Sequence, residues 1–211
     1  ANLPNRLRRI GSRLFAGEMH NQDCLFYIKD SRVNGGATGN LEGQMYVASL
    51  HYAYLSDTPI YIWNDGAGAN IKEGMIALNR AAEGFFFNAL TSNRPKYDEY
   101  FRRCTEIQDP EIHELLSDVE SMVESDGKIQ PESFFLVAVG MGSSTGLDVY
   151  GSSQAPIQVM LDEPGSFRVL TGSNVIRSVT GEDLTNYEIG GAPVMGFTGT
   201  VDRIARDKSE L

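Results

Sequence analysis

Apolar residues fall into two rhythms along this chain. Short, nearly continuous runs at Cys24–Lys29 (CLFYIK), Ile60–Trp63, Ser133–Val139 (SFFLVAV), Ile157–Leu161 and Phe167–Leu170 predict strands. The run over 133–139 has almost no polar position, the pattern of a strand covered on both faces. Elsewhere the apolar positions return every three or four residues. Leu41, Ala48 and Leu55, with Met45, Ser49 and Tyr52, predict a helix over Leu41–Leu55. Pro59 ends it, because proline disfavours helical geometry in the residue before it. A second helix is predicted from Ile71 to Gly84. Arg94–Asp126 is richer in acids and poorer in glycine. Within it Ile112, Leu115, Leu116, Val119, Met122 and Val123 mark one face of an amphipathic helix. That helix would pack on its own domain or serve as a lid or subunit contact. Strand, helix, strand, helix is the order of an α/β protein whose parallel strands are joined by crossovers.

Glycine changes the picture. There are 22, about 10% of the chain against a usual ~7%, and they gather after predicted strands. Val33-Asn34-Gly35-Gly36-Ala37-Thr38-Gly39 is too glycine-rich for a regular element and predicts a loop. Asn64–Ala69 and Gly140–Gly146 predict two sharp turns, each leading from a strand toward a helix. Backbone N–H groups at such a turn lack intrahelical acceptors and can hold an anion or an oxyanion. Neither turn is followed by Gly-Lys-Ser/Thr, and neither spells the dinucleotide pattern GxGxxG. Taken alone, glycine after a strand is common in α/β proteins and identifies nothing.

Composition narrows the chemistry by exclusion. The chain has 211 residues with 18 Lys and Arg against 28 Asp and Glu, a net charge of −10. That excess of acid argues against nucleic-acid binding. No apolar stretch is long enough to span a membrane, and the chain opens on Ala1 without a signal-peptide pattern, so a cytoplasmic location is expected. Cys24 and Cys104 form no CxxC pair, which points to a reducing compartment. His20, His51 and His113 follow no metal-ligand spacing, and no metal is expected. There is no GxSxG nucleophile elbow. Asp65, Glu73 and Asp148 lie near the turns and read as caps or loop anchors before they read as general bases. Arg6, Arg8, Arg9 and Arg13 crowd the start and read as a solvated basic segment.

Four motifs in order carry a resemblance. Lys29-Asp30-Ser31-Arg32-Val33-Asn34-Gly35-Gly36 followed by Gly39, Glu42 and Gly43 resembles the loop-and-helix entry of biotin-dependent acyl-CoA carboxyltransferases. Asn64-Asp65-Gly66-Ala67-Gly68-Ala69-Asn70-Ile71-Lys72-Glu73-Gly74 is similar to that family's NDSGGARIQEG. Val169-Leu170-Thr171-Gly172, then Thr180-Gly181-Glu182 and Ile189-Gly190-Gly191-Ala192, are similar to its TGP, VTGE and LGGA stretches. The family's arginine after SGGA is replaced by Asn70, and Thr145 stands where its second turn carries glycine.

The resemblance implies a crotonase-like superhelix of strand–strand–helix units, with a mostly parallel sheet and a small second sheet. It implies that residues 1–211 form one N-terminal-type carboxyltransferase domain, with 94–126 inserted. It implies carboxyl transfer from carboxybiotin to an acyl-CoA through a thioester enolate held by backbone N–H groups. The donors implied are Ala67, Gly68, Gly146 and Leu147; the CoA side would fall to Lys29, Arg32, Gly35, Gly36 and Ala69, helped by the N-terminal arginines. Partners implied are a second carboxyltransferase domain, a biotin carboxylase and a biotin carrier, in a homo- or hetero-oligomer, with the chain inactive alone. A CoA-thioester decarboxylase subunit and a non-catalytic crotonase-like scaffold are the alternatives.

Overall fold

The computed structural model describes residues 10–91 and 136–211. The insertion expected at 94–126, the arginines at 6, 8 and 9, Cys104, His113 and the first residues of the 133–139 run lie outside the described residues.

Among the described residues seven strands, numbered β1 to β7 in chain order with the ranges given below, form one sheet in the order β1-β2-β3-β4-β5-β7, with β6 pairing the far end of β4. β1 (Ser12–Met19) and β2 (Gln22–Lys29) are an antiparallel hairpin. β2, β3 (Ile60–Gly66), β4 (Leu136–Thr145), β5 (Ile157–Leu161) and β7 (Arg203–Ala205) run parallel. β1 was not expected, since its segment read as part of a basic, solvated terminus. Its side chains are mostly exposed, Leu14 and Phe15 among them, so the sequence carries no clean buried alternation. The turn at His20 and Asn21 has positive φ at both residues (53° and 62°), the geometry that matches hairpin twist.

The long β4 corrects the expected turn over Gly140–Gly146. The strand continues to Thr145 and the chain leaves it only at Gly146, φ 54°. Gly140 and Gly142 are glycines for want of space. A Cβ at Gly140 would meet the Arg168 guanidinium at 3.3 Å, and one at Gly142 would meet Asp65 Oδ1 at 2.4 Å. Leu136–Gly140 pairs in the body of the sheet, while Ser143–Thr145 pairs with β6 (Phe167–Val169), which joins this same sheet rather than forming the expected small second one among the described residues.

Helix α1 (Asn40–Leu55) crosses from β2 to β3 and fills the middle of the core. Leu50, Ala53 and Tyr54 join Tyr27, Ile60, Ile62 and Leu136 of the sheet in one buried cluster. Helix α2 (Met75–Thr91) covers α1, and Gly43 and Gly84 permit the approach: Cβ atoms there would lie 2.4 Å from Arg80 Cβ and 2.8 Å from the Tyr46 ring. The expected helical start at Ile71 is a single 3₁₀ turn over Ile71–Glu73, broken from α2 by Gly74 at φ 59°. Four short helices follow: α3 (Leu147–Ser152), α4 (Ser173–Thr180), α5 (Asn186–Gly190) and α6 (Ala192–Phe197).

Candidate active site at the carboxyl edge of the sheet

Parallel strands deliver the loops after them to one edge, where α/β folds place their ligands. The loops after β2, β3 and β4 meet there. Asp65, at the end of β3, accepts from the Ser143 N–H (3.1 Å) and Ser143 hydroxyl (3.2 Å) on β4, and from the Ser31 hydroxyl after β2. Its carboxylate is a loop anchor. The Ala67 N–H donates to Gly35 O at 2.9 Å, Thr38 N–H to Gly68 O at 2.7 Å, and Asn70 N–H to Thr38 O at 2.9 Å. Gly35 and Gly36 both turn with positive φ, and Gly36 sits so close to Asp65 O that a Cβ would lie 2.2 Å away. Glu73 is a cap: its Oε2 accepts from the Asn40 N–H at 2.6 Å, at the start of α1.

The two turns expected to share a site do touch. Gly68 (φ 82°) is buried, and a Cβ there would lie 2.7 Å from Thr145 O and 3.1 Å from the Leu147 amide nitrogen. Of the four expected donors, two are engaged inside the chain. Ala67 bonds Gly35 as above, and the Gly146 N–H donates to Val169 O at 3.0 Å. Those bonds hold the loops and give these two N–H groups acceptors within the chain. Gly68 N–H and Leu147 N–H have no acceptor among the described residues. Leu147 is the first residue of α3, so no helical carbonyl can reach it.

Beneath this point lies a buried ion pair that the sequence did not announce. Lys29 Nζ donates to Asp148 Oδ1 and, at 2.6 Å, to Thr38 Oγ1. The Lys29 and Asp148 side chains are only 7% and 4% exposed. Lys29 thus points inward to Asp148 and Thr38 in this structure. The other expected CoA-side residues are spread along the rim. Arg32 is exposed and grips Asp30 through two 2.8 Å bonds, which holds the Asp30 carboxyl down at about 2. Ala69 forms a one-residue bridge with Thr38. Arg13 donates to Ser12 O at 2.8 Å and Ile10 O at 2.5 Å. No group of three or more His, Cys, Asp or Glu among the described residues could hold a metal ion.

Residues 123–211 match the family model for the carboxyl transferase domain, and the fold is that of the crotonase-like carboxyltransferases. The chain is 27% identical over 195 residues to a biotin-dependent acetyl-/propionyl-coenzyme A carboxylase beta5 subunit of Mycobacterium leprae, covering 92% of this chain and 28% of that one. It is 26% identical over 180 residues to the methylmalonyl-CoA carboxyltransferase 12S subunit of Propionibacterium freudenreichii subsp. shermanii, covering 85% and 26%. A transcarboxylase 12S structure with methylmalonyl-coenzyme A and methylmalonic acid bound superposes with a TM-score of 0.68 at 23% identity, over 93% of this chain and 31% of that one. The chain thus spans less than a third of the length of these relatives.

Proposed function

We propose that this chain is the acyl-CoA half of a biotin-dependent carboxyltransferase. The observation that carries the reading is the pair Gly68 and Leu147, two amides on touching turns with their N–H groups unspent. Gly68 is buried and Leu147 half-buried, and an amide N–H without an acceptor in such a place is uncommon. An oxygen that gains negative charge in the transition state supplies the acceptor, since fixed donors in a dry site stabilise developing charge without reorganising.

The chain's own groups have three tasks. Gly68 and Leu147 would hold the thioester carbonyl and strengthen their bonds as it becomes an enolate. Asp65 and Ser143 lock the ends of β3 and β4 in register, so the amides keep their spacing. Gly68 lets the two turns pack together, since a side chain there would run into Thr145 O and the Leu147 amide nitrogen. Biotin, carried on a partner domain, would supply the carboxyl group and the base. That division of labour suits a site whose nearby carboxylates, Asp65, Glu73 and Asp148, are all engaged in anchoring, capping or ion pairing. A second carboxyltransferase domain would provide the biotin face.

The test is transfer of labelled carboxyl from a carboxylated biotin carrier to propionyl-CoA, by this chain with and without a matched second domain. Transfer with both halves and none with either alone is expected. Transfer by the chain alone would overturn the half-site; none with both halves would overturn the function.

A further inference from the structure

A partly open cavity of about 40 Å³ lies against α3, bordered by Leu147 and Asp148 and walled on the far side by Tyr46 and Phe85. At ~10–15 Å³ per water-sized occupant it has room for about three non-hydrogen atoms. Most of its wall is apolar, as expected for a pocket that accepts an acyl group. Its floor is not. Lys29, Thr38, Asn64 and Asp148 line it together. The Asn64 side chain, in a residue 3% exposed, has its Nδ2 without an acceptor among the described residues, and Asp148 Oδ2 has no donor. Lys29 spends two ammonium protons on Asp148 and Thr38, and an ammonium has three. Buried donors left over on one floor are costly, because a buried polar group needs its hydrogen bond.

We propose that this cavity selects the acyl group, and that it takes one carrying an oxygen function two or three atoms from the thioester carbonyl rather than a plain hydrocarbon. The inference rests on the functional reading above, which places the thioester at Leu147, on the rim of this cavity. A hydroxyl there accepts from Asn64 Nδ2 or Lys29. A methyl in the same place displaces water without replacing its bonds, and a site built to bond an oxygen discriminates against the analogue that lacks it.

The matched probes are propionyl-CoA and 3-hydroxypropionyl-CoA, which differ by one oxygen, titrated calorimetrically into the full chain and into Asn64→Leu. The native chain is expected to bind the hydroxylated thioester at least ~10-fold more tightly, and Asn64→Leu to erase or reverse that ratio. Circular dichroism confirms folding; if Asn64→Leu does not fold, Asn64→Ala carries the same comparison. Equal affinities in the native chain, or a preference unchanged by both variants, would overturn the inference while leaving the function standing. Binding of neither thioester at millimolar concentration would instead count against CoA recognition altogether.

Discussion

Removing Lys29 should cost this protein more than removing any charge on its surface. Lys29→Met keeps the length of the side chain but leaves the Asp148 carboxylate, 4% exposed, without its cation. Breaking one member of a buried pair costs about 3–5 kcal/mol, because the charge left behind has lost its water and found nothing in return. In a domain of this size that lowers Tm by roughly 6–20 °C at 2–4 °C per kcal/mol. Asp148→Leu should cost a similar amount by stranding the Lys29 ammonium. The double variant Lys29→Met/Asp148→Leu is the informative one. Both charges leave together, leucine keeps the forked shape of aspartate, and the apolar wall from Ile62 and Phe85 can take up the methyl groups. Its cost should fall to about 0–2 kcal/mol, so the pair couples by at least ~3 kcal/mol. Urea denaturation of the four proteins at neutral pH gives the cycle directly. Additive single costs would refute the buried pair. So would a Lys29→Met loss below 1 kcal/mol, the scale of an exposed ion pair.

Other consequences follow from burial and close approach. His51 is fully buried in α1, and desolvation pushes it down to about 4 from 6.5. Between those values the unfolded chain binds more protons, so stability is full above pH 6.5 and falls by roughly 3 kcal/mol as pH drops to 4; His51→Leu should flatten that part of a urea-midpoint profile. Gly68→Val keeps the N–H but drives its side chain into Thr145 O and the Leu147 nitrogen; by displacing the amides it should lower carboxyl transfer in the complete enzyme by about 10²–10³-fold, the scale of one lost oxyanion donor, with the fold checked by circular dichroism. Arg168 is 2% exposed, bonds Gln158 at 2.6 Å, and is held down to about 10 by desolvation, with its Nε and one terminal nitrogen unpartnered among the described residues. Arg168→Met should therefore change thermal stability by no more than about 1 kcal/mol, or raise it.

What the sequence made legible depended on how far apart the contacting residues lie. Cys24–Lys29, Ile60–Trp63 and Ile157–Leu161 are strands because their runs are apolar at nearly every position, and buried parallel strands need nothing else. The edge strand β1 carries no such signal, and β7 is three residues long. Glycine was ambiguous for a physical reason. At Gly68 and Gly146 it permits a turn, whereas at Gly140 and Gly142 it makes room for Arg168 and Asp65, and composition alone cannot separate the two uses. The motifs placed the two turns correctly at one edge. They could not say which amides were already spent, since the acceptors Gly35 and Val169 come from other loops. Lys29 looked like a free cation because its partner lies 119 positions away.

The central claim is that one oxygen sits between the Gly68 and Leu147 amides. The chain labelled with ¹⁵N and titrated with a stable ketone or amide analogue of propionyl-CoA, which keeps the carbonyl oxygen, tests it residue by residue, even for millimolar binding. The Gly68 and Leu147 amide protons are expected to move downfield together and saturate at one ligand concentration, while those of Ala67 and Gly146, already bonded within the chain, move little. Saturable binding that shifts neither Gly68 nor Leu147 would contradict it.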